Sequence, residues 1–252
     1  GSTELRMKGF GTEKLEDELQ TLFPEETILR LDQDTTTRKN AYSQIISQFE
    51  HGQASILVGT QMVTKGLDFE SVRLVGIVSA DQMLKYPDFR ANEKSFHLML
   101  QVSGRSGRKD RQAEVIIQSF MPEHPIFNFV KRHDYEGFYE HEIYERLKFK
   151  YPPFYRLIKL NLKAKNLEKI KQGANLLSNR LRTHFGERVL GPEIPPVMRV
   201  KNQYLMNILL KFEKKDFNIQ AAKHQMMDTI AEFRKEPAHK SIRVNVDVDP
   251  MQ

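Results

Sequence analysis

Ser55-Ile-Leu-Val-Gly-Thr-Gln-Met-Val-Thr-Lys-Gly-Leu-Asp-Phe69 opens with a short apolar run that stops at Gly59-Thr60. Such a run reads as a strand covered on both faces, and the same holds for Val72 to Val78. Helical spacing separates these runs from others: Leu15, Leu19 and Leu22 share one face of Thr12 to Phe23, and Ala41, Ile45, Ile46 and Phe49 share one face of Thr37 to Glu50. Thr27 to Leu31 and Ala113 to Gln118 add further strands, and Asn92 to Leu100 another helix. The alternation predicts an α/β unit around a mostly parallel sheet. In that architecture ligands sit beyond the carboxyl ends of the strands, where Gly59-Thr60 and Ser79-Ala-Asp81 fall.

Outward from this unit the pattern changes twice. Residues 122–150 are helical, charged and aromatic, with Phe127, Phe129, Tyr135, Phe138, Tyr139, Tyr144 and Phe149; these rings pack a linker helix or stack on bases. Tyr151-Pro-Pro-Phe154 breaks any helix, because neither proline has an amide donor. Beyond it Arg156 to Lys163 nearly alternates, Leu167 to Phe185 is an amphipathic helix, and Val197 to Phe212 reads as a hairpin turning near Lys201-Asn202-Gln203. A helix from Asp216, its N-cap, to Phe233 and a strand over Ser241 to Val248 complete the order β-α-β-β-α-β. That order predicts a split βαβ, ferredoxin-like fold, which by itself specifies no function. The domains are therefore drawn as 4–133, an α/β lobe; 134–152, a linker helix; and 153–252, an α+β domain.

Composition narrows the classes. The 252 residues include 39 Lys and Arg, 33 Asp and Glu, and no cysteine, which removes disulfides and thiolate zinc sites. His133 and His141 lie eight apart, outside the usual spacing of a ligand pair, so no metal site is assigned. No apolar stretch approaches the ~20 residues of a membrane span, Gly1-Ser2 reads as a cloning remnant, and the composition fits the bacterial cytoplasm. Charge is uneven: residues 151–252 hold 19 Lys and Arg against 10 Asp and Glu, a balance of +9, whereas residues 1–150 hold 20 against 23. A segment this basic either favours polyanions or presents a solvated lysine surface.

Gln101-Val-Ser-Gly-Arg105-Ser-Gly-Arg108 supplies the chemistry. Two guanidinium groups that stay charged and fork onto phosphate oxygens follow a helix on a glycine-loosened segment, as equipment for gripping a triphosphate requires. Thr60 and the amides after it stand where a nucleic-acid phosphate can be held. Gly66 permits close backbone approach, and Asp68 can accept from a ribose hydroxyl. Alone, Gly59-Thr60 is equally an ordinary strand-to-helix turn.

Together the two stretches resemble motifs V and VI of superfamily 2 helicases. Gly9-Phe-Gly-Thr-Glu-Lys-Leu-Glu16, Arg30-Leu-Asp-Gln-Asp-Thr35, Pro87-Asp-Phe-Arg-Ala91, Tyr151-Pro-Pro-Phe154 and Asp247-Val-Asp-Pro250 extend the resemblance to the bacterial primosomal replication-restart helicases, the PriA or primosomal protein N′ family. The resemblance implies a RecA-like helicase lobe 2 followed by that family's C-terminal domain. It implies γ-phosphate contact by Arg108, as the finger, and Arg105, with Gln101 beside them, and DNA backbone contact by Thr60, with Gln61 and Lys65 in the same loop. It further implies ATP with Mg²⁺ held mainly by another lobe, ATP-driven 3′ to 5′ unwinding of branched DNA, and zinc in a cysteine-rich insertion. Its partners would be branched and single-stranded DNA, the C-terminal tail of single-stranded DNA-binding protein, and downstream primosome proteins. A pocket for that tail falls loosely on Lys211, Lys214, Lys215 and Gln220, which read equally as a charged helix entrance.

This sequence departs from the family pattern in three ways. It contains no phosphate loop, Ser79-Ala-Asp-Gln82 is no metal-holding acidic box, and the zinc insertion should end just before Gly9. The chain is thus expected to bind DNA or protein without hydrolysing ATP, or to act purely as a single-stranded DNA or acidic-peptide binding module. The strand that opens lobe 2 in the family lies upstream of the insertion, so a sheet edge is expected to stand open and promote self-association.

Overall fold

The computed structural model describes residues 11–37, 40–64, 72–103, 114–215 and 217–250. The chain forms two compact units, residues 1–135 and 136–252. The helix expected as a linker belongs to the second.

In the first unit α1 (Thr12–Leu22), β1 (Ile28–Leu31), α2 (Ala41–Glu50) and β2 (Ile56–Gly59) lead into a 3-10 turn over Gln61–Thr64. There follow β3 (Leu74–Ile77), α3 (Asp81–Leu84), α4 (Ala91–Ser103), β4 (Glu114–Ile117) and α5 (Pro125–Arg132). Both β pairings are parallel, β1 with β2 and β3 with β4. Among the described residues they form two separate two-stranded sheets instead of one continuous sheet. Leu31 and Ile46 make the core beneath the first pair, with Tyr42, Ile45, Leu57 and Val63 packed on them.

The second pair corrects one reading. Residues 72–78 were expected to be covered on both faces, yet Leu74 and Ile116 are each 57% exposed while Val75, Ile77, Val115 and Ile117 are half-buried. A β-strand sends successive side chains to opposite faces, so one face of this pair carries apolar groups in the open. Helix α2 also begins four residues later than expected, at Ala41, behind a left-handed Asn40 with φ 71°.

The second unit contains α6 (Tyr135–Lys148), β5 (Tyr155–Ala164), α7 (Leu167–Phe185), β6 (Val189–Glu193), β7 (Arg199–Val200), β8 (Gln203–Glu213), α8 (Ile219–Lys235) and β9 (Arg243–Val248). Sheet order is β6-β8-β5-β9, with every pairing antiparallel. With β5, β6, β8 and β9 counted as first to fourth strands, the order reads 2-3-1-4, the split βαβ arrangement expected. Its core lies between the sheet and the two helices: Ile158, Leu160 and Leu162 from β5, Ile208, Leu210 and Phe212 from β8, Leu177 and Leu181 from α7, and Ile230 and Phe233 from α8.

Two details differ from the sequence reading. The fold's second strand is β6, which no alternation announced because Gly191-Pro192 interrupts it. Gly191 takes φ +91°, and a Cβ there would lie 3.0 Å from the Asn207 carbonyl, so the bulge that passes β6 along β8 needs glycine. The expected hairpin exists, but its first arm is only β7. It turns on Lys201 and Asn202, both left-handed at φ 45° and 64°, as a two-residue hairpin requires. The N-cap of α8 is Asn218, whose side chain accepts from the Ala221 amide at 3.0 Å; Asp216 lies outside the described residues.

The aromatic stretch divides. Phe127 and Phe138 are buried, whereas Tyr135, Tyr139, Tyr144 and Phe149 are about half exposed or more.

Lys211 of β8 is 8% exposed; its ammonium donates to the Phe149 carbonyl at 2.7 Å and sits 3.5 Å from the centre of the Tyr151 ring. Burial, then the nearby Lys150 charge, pushes its pKa down to about 8 from 10.5. Between those values the unfolded chain keeps a proton that the folded chain has released. Stability from this residue therefore rises with pH from about 8 to 10.5. Lys211→Met, which keeps the apolar stem, should flatten that rise when urea midpoints of the second unit are compared at pH 7.5, 9 and 10.

Candidate functional site

Strand β2 ends at Gly59, paired with Leu31 at the end of β1. A Cβ on Gly59 would lie 2.4 Å from the Leu31 carbonyl oxygen and 2.3 Å from Val63 Cγ2, so only glycine lets the chain turn there. The Thr60 amide donates to the Leu31 carbonyl at 3.4 Å, and the Val63 amide to the Thr60 carbonyl at 3.0 Å. Thr60 and Gln61 emerge exposed at the carboxyl end of a parallel strand. A phosphate oxygen can reach a hydroxyl and turn amides presented this way.

Helix α4 packs against that 3-10 turn. Its buried face, Ala91, Ser95, Phe96, Met99 and Val102, follows helical spacing, and its last turn carries exposed Gln101. The helix thus joins the Thr60 loop to the start of the arginine run. Arg105 and Arg108 themselves, like Lys65, Gly66 and Asp68, lie outside the described residues.

The Pro87-Asp-Phe-Arg-Ala91 stretch explains how α4 is held. The Asp88 side chain is 1% exposed; one carboxylate oxygen accepts from the Arg90 amide at 2.9 Å and the other pairs with Lys94, while its carbonyl accepts from the Ala91 amide at 2.9 Å. Carboxylate charge at a helix start opposes the partial positive charge of the free amides.

Two more carboxylates at strand ends are committed to structure. Asp32, just past β1, accepts from the Asp34 and Thr35 amides at 3.0 and 2.9 Å and from the Thr12 hydroxyl, with Arg30 Nε 3.1 Å away. Burial raises its pKa, but the Thr12 and Thr35 hydrogen bonds and the Arg30 charge outweigh burial and hold it below the usual value. Glu16 of α1 completes the knot through Arg30 at 3.0 Å. Asp81 accepts from the Phe120 amide and the Ser119 hydroxyl, both at 2.9 Å, and these bonds, the Phe120 one foremost, lower its pKa. Ser79-Ala-Asp81 was expected to carry ligand; its carboxylate instead ties the end of β3 to the segment after β4.

Of the residues considered for peptide binding, Lys214, Lys215 and Gln220 are exposed around the start of α8. Lys211 is removed from that group, because its ammonium is spent internally on Phe149 and Tyr151. Among the described residues no group of three or more His, Cys, Asp or Glu is placed to hold a metal ion, and no helix is long and apolar enough to cross a membrane.

A parallel-stranded lobe whose strand-end threonine loop abuts a helix leading towards the arginine motif fits the helicase C-terminal domain class. Family models agree: the helicase conserved C-terminal domain matches residues 9–110, and the primosomal protein N C-terminal domain matches residues 148–251. The chain belongs to the PriA family of replication restart proteins. It is 38% identical over 251 residues to replication restart protein PriA of Bacillus subtilis, covering 99% of this chain and 31% of that protein. The Treponema pallidum protein of the same name is 40% identical across 99% of this chain and 37% of its own length, and that of Synechocystis 36% across 99% and 29%. The chain thus spans about a third of the length of these relatives.

Sequence reasoning missed Asp88, although an aspartate three residues before the first helical alanine is a recognisable helix-start signal. Asp88→Ala should lower the stability of the first unit by about 1–2 kcal/mol, with Lys94→Met costing less, because removing the carboxylate strands the Arg90 amide as well. Urea unfolding followed by circular dichroism measures both.

Proposed function

We propose that this chain supplies the second motor lobe and the C-terminal domain of an ATP-driven DNA helicase that restarts replication at stalled or branched forks. The packing of α4 on the Thr60 turn carries the reading, since one rigid element then links a DNA-facing loop to the arginine run. Thr60, with Gln61 and Lys65, contacts the DNA backbone. Arg108, seconded by Arg105 and Gln101, reaches the γ-phosphate of ATP whose Mg²⁺ and remaining phosphates are held by the other lobe; Gly66 and Asp68 approach the nucleotide from this side. The basic second unit holds single-stranded DNA, and Lys214, Lys215 and Gln220 meet the acidic tail of single-stranded DNA-binding protein. Movement is 3′ to 5′, and downstream primosome proteins are loaded in consequence.

Two motor lobes are needed to close the nucleotide site, so the chain alone should show no DNA-stimulated ATP hydrolysis. In a longer protein that hydrolyses ATP, Arg108→Ala should reduce turnover by roughly 10³- to 10⁵-fold while leaving DNA affinity in place, the loss found when an arginine finger is removed elsewhere. Steady-state phosphate release with and without single-stranded DNA measures both, and turnover by the 252-residue chain free of contaminating enzyme would defeat the composite-site reading.

A further inference from the structure

The sheet of the second unit has two different faces. One packs on α7 and α8; the other carries Lys159, Asn161 and Lys163 from β5, Asn207 between Leu205 and Leu209 from β8, and Arg243, Asn245 and Asp247 from β9, because alternate residues of each strand fill the core, while its far end, Leu157 and Lys211, is buried. Register aligns them in rows. Asn161 pairs with Asn207 on one side and Asn245 on the other, so three carboxamides cross the sheet side by side.

Asn245 is exposed and Asn161 half-buried, so both amides are open to a ligand, whereas Asn207 is 5% exposed. The next row carries charge. Lys163 stands directly opposite Arg243, and like charges placed so repel each other. Neither makes an ion pair with an acid among the described residues, and Lys159, facing Asp247, lacks one within 4.0 Å. The acidic neighbours are Asp247 at one margin and Glu193, which pairs with Asn207, at the other. The amide row and the cation row lie two residues apart along β5, roughly 7 Å at the rise of an extended strand.

From these rows we infer that this outer sheet face is the contact surface for single-stranded DNA in the second unit, with a backbone phosphate between Lys163 and Arg243 and base edges on Asn161 and Asn245. A carboxamide matches base edges, since it donates and accepts in the same plane. A phosphate relieves the cation pair. Duplex DNA fits less well, as its base edges are recessed in grooves that a flat sheet does not enter. This inference rests on the proposed DNA binding by the second unit, and adds where the strand lies and how it is read.

The test uses fluorescence anisotropy with the full chain and a labelled mixed-sequence single strand across a salt series. The double variant Lys163→Ala/Arg243→Ala should weaken binding at least tenfold and reduce the slope of log affinity against log salt by about 1. The double variant Asn161→Ala/Asn245→Ala should weaken binding about tenfold with an unchanged slope. Its melting temperature should hold, because neither amide has a protein partner among the described residues to lose. Binding within twofold of the parent in the Lys163/Arg243 variant overturns the inference while leaving DNA binding by the unit intact. A folded Asn161/Asn245 variant that binds at parental strength removes the reading of base edges, and a fall in its melting temperature assigns the amides to stability instead. Should that variant fail to fold, the Lys163/Arg243 pair decides alone. No binding by the parent chain defeats the underlying DNA reading, and loss of a poly-glutamate ligand without loss of DNA assigns the face to an acidic protein segment.

Discussion

The ten-residue antiparallel ladder between β5 and β8 constrains everything else in the second unit. A slip of one residue would carry Ile158, Leu160 and Leu162 out of the core and bring Lys159, Asn161 and Lys163 into it. Burying three such groups without partners costs far more than a strand pair contributes, so the register is fixed by the hydrophobic alternation of both strands. The same alternation gathers the polar remainder on one outer face. Core and candidate binding surface are thus two sides of one pairing.

In the first unit, carboxylates are placed at element ends. Asp32 ties α1 to the end of β1, Asp81 ties the end of β3 to the segment after β4, and Asp88 starts α4. Each is buried, and each accepts from backbone amides. Short parallel strands give little cross-strand contact of their own, so loops at their carboxyl ends must be held by other means.

Much of the architecture was legible because its signals are local. The periodicity of Leu167 to Phe185 matches α7 residue for residue, and Lys201-Asn202 marked the hairpin turn. What escaped had non-local causes. Strand β6 is held by β8 and by bonds from Ser178 and Arg182 to the Gly191 carbonyl, while its own sequence looks like a loop. Residues 72–78 read as doubly covered because a run of apolar residues looks the same whether one face or two are packed. Lys211 resembled its neighbours Lys214 and Lys215 as a surface cation until the carbonyl of Phe149 and the ring of Tyr151 enclosed it.

From sequence alone came the family resemblance of the first unit and the β-α-β-β-α-β order of the second, because these rest on residue type and spacing along the chain. Only tertiary structure decided which polar groups are spent internally and which are left to meet a ligand. Asp81 and Lys211 looked available and are engaged; Asn161 and Asn245, far apart in sequence, stand side by side and open to a ligand. Hydrogen-bond satisfaction and cross-strand register are properties of neighbours in space, which no spacing along the chain records.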